Sequence, residues 1–167
     1  MNQPDPLHSE ERLQEIIDLD LLAPEVDSIL TEIASQAAGR LEMPVSLVSV
    51  VLDEALHVAG SHGIDGLWLG ETRGHPVEWA FCATSVRSRE AFVVESAVTH
   101  PYHQTNPLVT RDGVRCYAGV PMISSRGHVL GNLCVVGLEE RKFSDEEVQI
   151  LRDLASEAVR RIEARVA

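Results

Sequence analysis

Apolar positions along this chain follow two different periods, and the change between them divides it into elements. Over residues 8 to 21, Leu13, Ile16, Ile17 and Leu21 fall at helical spacing and predict a first helix. The stretch LAPEVDSILTEIASQAAGRLEMP predicts a second, with Val26, Ile29, Leu30, Ile33, Ala37 and Leu41 on one stripe. Pro24 suits its first turn, Glu25 and Asp27 suit its positive end, and Pro44 stops it. The period then shortens. VSLVSVVLDEALHVAGSH is rich in β-branched residues and breaks at Asp53-Glu54, which predicts two antiparallel strands, about 45 to 53 and 56 to 62. The glycine-rich residues 63 to 78 read as a loop. A short helix near 79 to 87 and a short strand, AFVVE, follow.

Residues 96 to 113 hold two prolines and little periodicity, and read as one long connection of the kind that often carries function. Two strands, near 114 to 123 and 128 to 138, flank a turn at Ser124 to Gly127. The chain closes on a helix that opens with Ser144 and Glu147 in a capping-box pattern and lines one face with Val148, Leu151, Leu154, Ala155, Ala158, Ile162 and Val166. Hairpin-joined strands imply an antiparallel sheet, and the helices must cover it, giving an α+β fold. No repeat or second-domain boundary is visible, so residues 1 to 167 are expected to form one domain, with a core over about 10 to 165.

Composition narrows the function. The chain of 167 residues is 44% hydrophobic and 24% charged, values of a globular protein, and no run approaches the length needed to span a bilayer. No leader pattern is visible, so the expected location is cytoplasmic. The net charge is −12, and ten acids face two bases within residues 1 to 44. Such a surface repels polyanions, so neither nucleic acid nor membrane is expected as a partner. Three cysteines without a CxxC spacing are expected to be reduced thiols.

Four stretches resemble the GAF domain family: LTEIASQAAGRLEMPVSLVSVVLDE, EWAFCATSV, VVESAVTHPYHQTNPLV and VRCYAGVPMISSRGHVLGNLCVVG. They include the pieces Y-A-G-x-P and G-x-L-C, and the resemblance covers roughly residues 10 to 165. It implies a PAS-related antiparallel sheet with helices on one face and a ligand pocket on the other, roofed by 63 to 78 and 96 to 113. It also implies terminal helices that pair between subunits. The family's ligands include cyclic nucleotides, bilins, haem, amino acids and small oxidised metabolites, so the fold alone does not name a ligand.

Specific chemistries leave few candidates. The resemblance extends to free methionine-(R)-sulfoxide reductases, which need one thiol to attack and another to resolve. Cys82, at a helix start, and Cys116 are the candidate pair, although Cys116 sits closer to its strand than that family's cysteine. The alternative is that Cys82 is a small pocket-edge residue of structural role. Cys134 is expected in the core, and Cys116 points to pocket or core according to its register. His100 and His103 are spaced as a metal pair but are interrupted by Pro101. His103 is expected instead to fill the pocket, and neither metal nor cofactor is expected. Candidate ligand-binding residues are Trp68, Trp79, Phe81, Cys82, Ser85, His103, Asn106, Arg115 and Tyr117. Arg115 is a candidate for holding a carboxylate or phosphate, or else pairs with Glu95 or Asp112.

The expected function is that of a regulatory domain that senses an unidentified small molecule and signals through its terminal helices. The expected partners are a second copy of the chain and a separate output protein or domain. The alternatives are an interaction module that only homodimerises and, third, a redox enzyme like the sulfoxide reductases.

Overall fold

The structure, a computed structural model, describes residues 5–64, 74–76, 81–100 and 106–166. A 3₁₀ turn, Pro6–His8, leads into α1, Glu10–Asp18, whose first turn is capped by the Ser9 side chain. Helix α2, Pro24–Leu41, follows. Strands β1, Val45–Val51, and β2, Ala55–His62, form the first hairpin, and β3, Gly74–Pro76, extends it. Next come α3, Cys82–Ser88, β4, Phe92–Val94, and α4, Pro107–Thr110. Strands β5, Cys116–Ile123, and β6, Val129–Gly137, form the second hairpin, and α5, Asp145–Ala164, closes the fold.

Among the described residues the sheet has six strands in the order β3-β2-β1-β6-β5-β4, and every pairing is antiparallel. The first long strand therefore lies beside the last, which makes β1, β6 and β5 the centre. Side chains alternate across them. Val48, Val50, Ala118, Val120, Leu133 and Val135 pack under α1, α2 and α5. Leu47, Val51, Tyr117, Cys134 and Val136 face the other way, under α3 and α4. Both faces of these strands are buried, so their sequences read as nearly continuous apolar runs.

Helix α2 lies closest to the sheet at Gly60. A Cβ there would stand 2.3 Å from the backbone carbon of Leu30, so only glycine lets the helix approach this near. Helix α5 has the anticipated capping box: the Ser144 side chain accepts from the Glu147 backbone and the Glu147 side chain from the Ser144 backbone.

Several expectations change. The proposed loop 63 to 78 contributes strand β3, and the long connection 96 to 113 contains α4, capped by Asn106. The first helix is shorter than 8 to 21, and its buried face is Arg12, Glu15, Ile16 and Leu19, while Ile17 is 69% exposed. The apolar stripe alone misplaces this face because two charged residues occupy it.

Arg12 is 3% exposed. Its Nη1 donates to the carbonyls of Val51, at 2.5 Å, and Val129, at 3.2 Å, and its Nη2 to that of Leu7, at 2.9 Å. One guanidinium thus joins the N-terminal turn to the ends of β1 and β6. Burial lowers its pKa, and Asp53 and Asp5 oppose that shift. Glu15, one turn further on, accepts from Ser124 Oγ at 2.5 Å and meets His128 Nδ1 at 2.9 Å, which docks α1 on the β5–β6 turn. Arg12→Ala leaves these carbonyls buried without a donor and is expected to cost about 3 kcal/mol. Thermal unfolding checks this, with Tm falling by roughly 6–12 °C in a chain of this size.

Candidate functional site

The face opposite the long helices carries a buried polar cluster beneath α3. Four of the seven residues of α3, Cys82, Ala83, Ser85 and Val86, are buried against the sheet. Arg87 holds the outer side through an ion pair to Asp5 at 3.0 Å, and Arg89, in the left-handed region at φ 63°, ends the helix.

Tyr117 lies at the centre. It is 1% exposed, and its ring stacks on Phe81 with centroids 5.0 Å apart. Phe92 tilts against it at 5.9 Å and in turn meets the edge of His100. The phenol reaches along the sheet over Gly119, where a Cβ would stand 2.3 Å from the Tyr117 oxygen and 2.6 Å from Asn132 Oδ1. The phenol donates to Asn132 Oδ1 at 2.9 Å and lies 3.4 Å from Cys82 Sγ. Ser49 Oγ is 3.5 Å from the same sulfur. Cys134, on the sheet floor, lines the same cavity as Cys82.

These contacts set the two thiols apart. Cys82 is held down at about 7, chiefly by the Cys134 hydrogen bond and then by Ser49 and Tyr117, against burial. Cys134, which serves as the donor and is fully buried, is pushed well above the usual thiol range. Burial likewise raises Tyr117.

An apolar cavity of about 30 Å³ adjoins this cluster. Its walls include Leu47, Leu56, Phe81, Leu108, Val114 and Val136, and Ser49, Cys82, Asp112, Tyr117 and Cys134 supply its polar lining. It has room for one or two water-sized molecules. Asn132 Nδ2, on the amide that holds the Tyr117 phenol, is buried without a hydrogen-bond partner, as is Ser85 Oγ on α3.

The structure brings together Phe81, Cys82 and Tyr117 of the sequence candidates at the cavity and buries Ser85 further along α3. Asn106 instead caps α4, accepting from Leu108 N at 2.9 Å. Arg115 braces the same loop, donating to the carbonyls of Val109 and Val114 at 3.1 and 2.9 Å rather than lining the cavity. Trp68, Trp79 and His103 lie outside the described residues. The thiol pairing changes as well. Cys116 points to the long-helix face, packed between Met43 and Gly137, across the sheet from Cys82. The thiol that shares a cavity with Cys82 is Cys134, which is a core residue as expected. Ser49, Asn132 and Cys134 were missed as site residues. The register of β1 and β6, which pairs Ser49 with Asn132 and Leu47 with Cys134, is the feature that would have found them.

This arrangement defines a member of a known class. The sequence model of the GAF domain family matches residues 25–162, and the chain belongs to that family. A cyclic di-GMP phosphodiesterase of Pseudomonas aeruginosa is 29% identical over 161 residues, a match that spans 95% of this chain and about a quarter, 26%, of the relative. Among solved structures, the GAF domain of a phosphoenolpyruvate-protein phosphotransferase from Coxiella burnetii superposes with a TM-score of 0.69 at 18% identity, covering 96% of each chain. A free methionine-R-sulfoxide reductase from Neisseria meningitidis gives 0.68 at 17% identity, covering 98% of this chain and 94% of its own. These likenesses establish the fold, with the long helices on one face of the sheet.

Because the Cys82 thiol is lowered, its thiolate forms as pH rises through about 7 and is lost below that. The ultraviolet absorbance of the thiolate is expected to show this transition in the folded protein and to lose it in Cys82→Ser. Gly119→Ala displaces the phenol, so in that variant the transition is expected at higher pH. An unchanged midpoint there would mean that Tyr117 does not act on the sulfur.

Proposed function

We propose that this GAF domain is a regulatory, cytoplasmic module that senses a small molecule at the α3 face and signals through its terminal helices. The observation that carries the reading is a polar cluster set into the wall of an apolar cavity, with Nδ2 of Asn132, the hydrogen-bond partner of Tyr117, left unpaired. Unpaired buried polar groups are costly, and a ligand with complementary groups relieves that cost. The cavity is far smaller than the several hundred Å³ of a typical drug-sized site. A ligand larger than a few atoms must therefore displace the Phe81 ring and lift α3. Strands β5 and β6 carry residues of both faces, so movement under α3 reaches the packing of α2 and α5. The likeness to a stretch of a cyclic di-GMP phosphodiesterase supports a signalling role, with the output supplied by another domain or protein. No described helix is long and apolar enough to cross a membrane.

The same cavity also favours a second reading. Phe81 and Tyr117 stack at the cavity, which is left at about 30 Å³, as expected of a domain that acts only by homodimerising. The exposed Ile17, Leu22 and Val166, at 69%, 52% and 50%, offer apolar contacts on the terminal segments for a second copy.

Native mass spectrometry of freshly purified protein separates these readings. Sensing predicts a small mass that is retained in the folded protein, lost on denaturation and weakened in Phe81→Trp. An apo dimer, unaltered by metabolite mixtures and broken by Ile17→Glu, would favour the interaction reading.

A further inference from the structure

Two of the polar groups that line the cavity beneath α3 are thiols, which ligand binding does not require to react. They come from different elements: Cys82 opens α3, and Cys134 sits in the middle of β6. Both line the same small cavity, Cys82 from the helix above it and Cys134 from the sheet floor. They differ in acidity, so one is suited to attack and the other to follow. The third cysteine, Cys116, is held apart on the other face of the sheet. The cavity admits molecules of about water size, and its walls exclude bulky thiols such as glutathione.

We propose that Cys82 and Cys134 form a dithiol site that a small hydroperoxide oxidises to a disulfide linking α3 to β6. The Cys82 thiolate attacks one peroxide oxygen. A sulfur–oxygen bond forms, the oxygen–oxygen bond breaks, and the departing hydroxide takes up the proton that the Cys82 thiol released on ionising, leaving as water. The Cys134 sulfur then attacks the sulfur of the Cys82 sulfenic acid. A sulfur–sulfur bond forms, the sulfur–oxygen bond breaks, and the Cys134 proton leaves with the hydroxide as a second water. The two thiols together lose two electrons, and hydrogen peroxide is reduced to two waters.

The neighbours of the pair assist. Tyr117 has one phenolic proton and two acceptors in reach, Asn132 Oδ1 and Cys82 Sγ. A half-turn of the Asn132 amide aims its unpaired Nδ2 at the phenol oxygen and releases the phenolic proton to the sulfur. That exchange gives the thiolate a donor as it forms. The disulfide replaces the gap between two thiols of one cavity wall by a covalent bond of about 2.05 Å, drawing α3 onto the sheet. Oxidation and occupancy of the cavity are thus competing states of one wall. The dithiol stands whether or not an organic ligand binds there.

The test uses the unmodified protein. Folded protein is treated with hydrogen peroxide, quenched in acid, unfolded and alkylated. Trypsin cuts after Arg87, Arg115 and Arg126, which places each cysteine in its own peptide. The expected result is a Cys82–Cys134 linked peptide, lighter by two hydrogens and reversed by dithiothreitol, with Cys116 alkylated. Its rate of formation is expected to rise with pH through neutrality. Cys134→Ala is expected to stop at the Cys82 sulfenic acid, trapped by dimedone. If that variant fails to fold, the peptide map of the natural sequence still decides. Three alkylated thiols after peroxide, or a link that involves Cys116, would overturn the proposal.

Discussion

Position 119 can carry no side chain because Tyr117 lies across it. That constraint organises one face of the molecule. With the phenol laid along the sheet, its oxygen reaches Asn132 on the neighbouring strand and Cys82 on the helix above. Its ring meanwhile forms the platform on which Phe81 stacks. Three short pieces of sequence, distant from one another along the chain, therefore describe one object. Tyr117-Ala118-Gly119 supplies the ring and the space for it. Gly131-Asn132-Leu133-Cys134 supplies the acceptor and the second thiol. Phe81-Cys82 supplies the stacking partner and the first thiol. Gly131 belongs to the same design, since a Cβ there would stand 1.8 Å from the Ser49 carbonyl oxygen and would push β1 away from β6.

Period-two alternation joins this face to the opposite one. Residues 117 and 134 look toward α3, and residues 118, 133 and 135 look toward the long helices. A shift of the central strands is felt on both sides, because close-packed interiors do not absorb displacement gradually. On the long-helix side, α1 is fixed by buried charge as much as by apolar contact, through Arg12 and Glu15. Such contacts are directional. They hold the helix in one orientation, where an apolar stripe alone would let it roll.

Much of the architecture was legible in the sequence, because long amphipathic segments and turn residues carry strong periodic signals. The two long helices, both hairpins and the Ser144 cap follow from spacing and residue type. The face of α1 did not, since Arg12 and Glu15 are charged and their burial depends on carbonyls and hydroxyls supplied by distant strands. Strand β3 and helix α4 were also hidden, being too short for any period to register. At the site, the tyrosine and the helix cysteine were visible, whereas the thiol partner was misassigned. Cys116 and Cys134 sit in similar apolar runs, and only the pairing of β5 with β6 shows that they face opposite ways. Arg115 illustrates a related limit: a cation beside a pocket reads as a ligand group until its donors are traced to loop carbonyls.

The central claim is that Tyr117 and Asn132 act as a coupled pair beneath α3. A double-mutant cycle on thermodynamic stability, combining Tyr117→Phe with Asn132→Ala, tests it most directly. The account predicts a coupling of about 1 kcal/mol, the value of a buried hydrogen bond between neutral groups. Additive effects, with no coupling outside error, would contradict it and would leave the three sequence pieces without a common purpose.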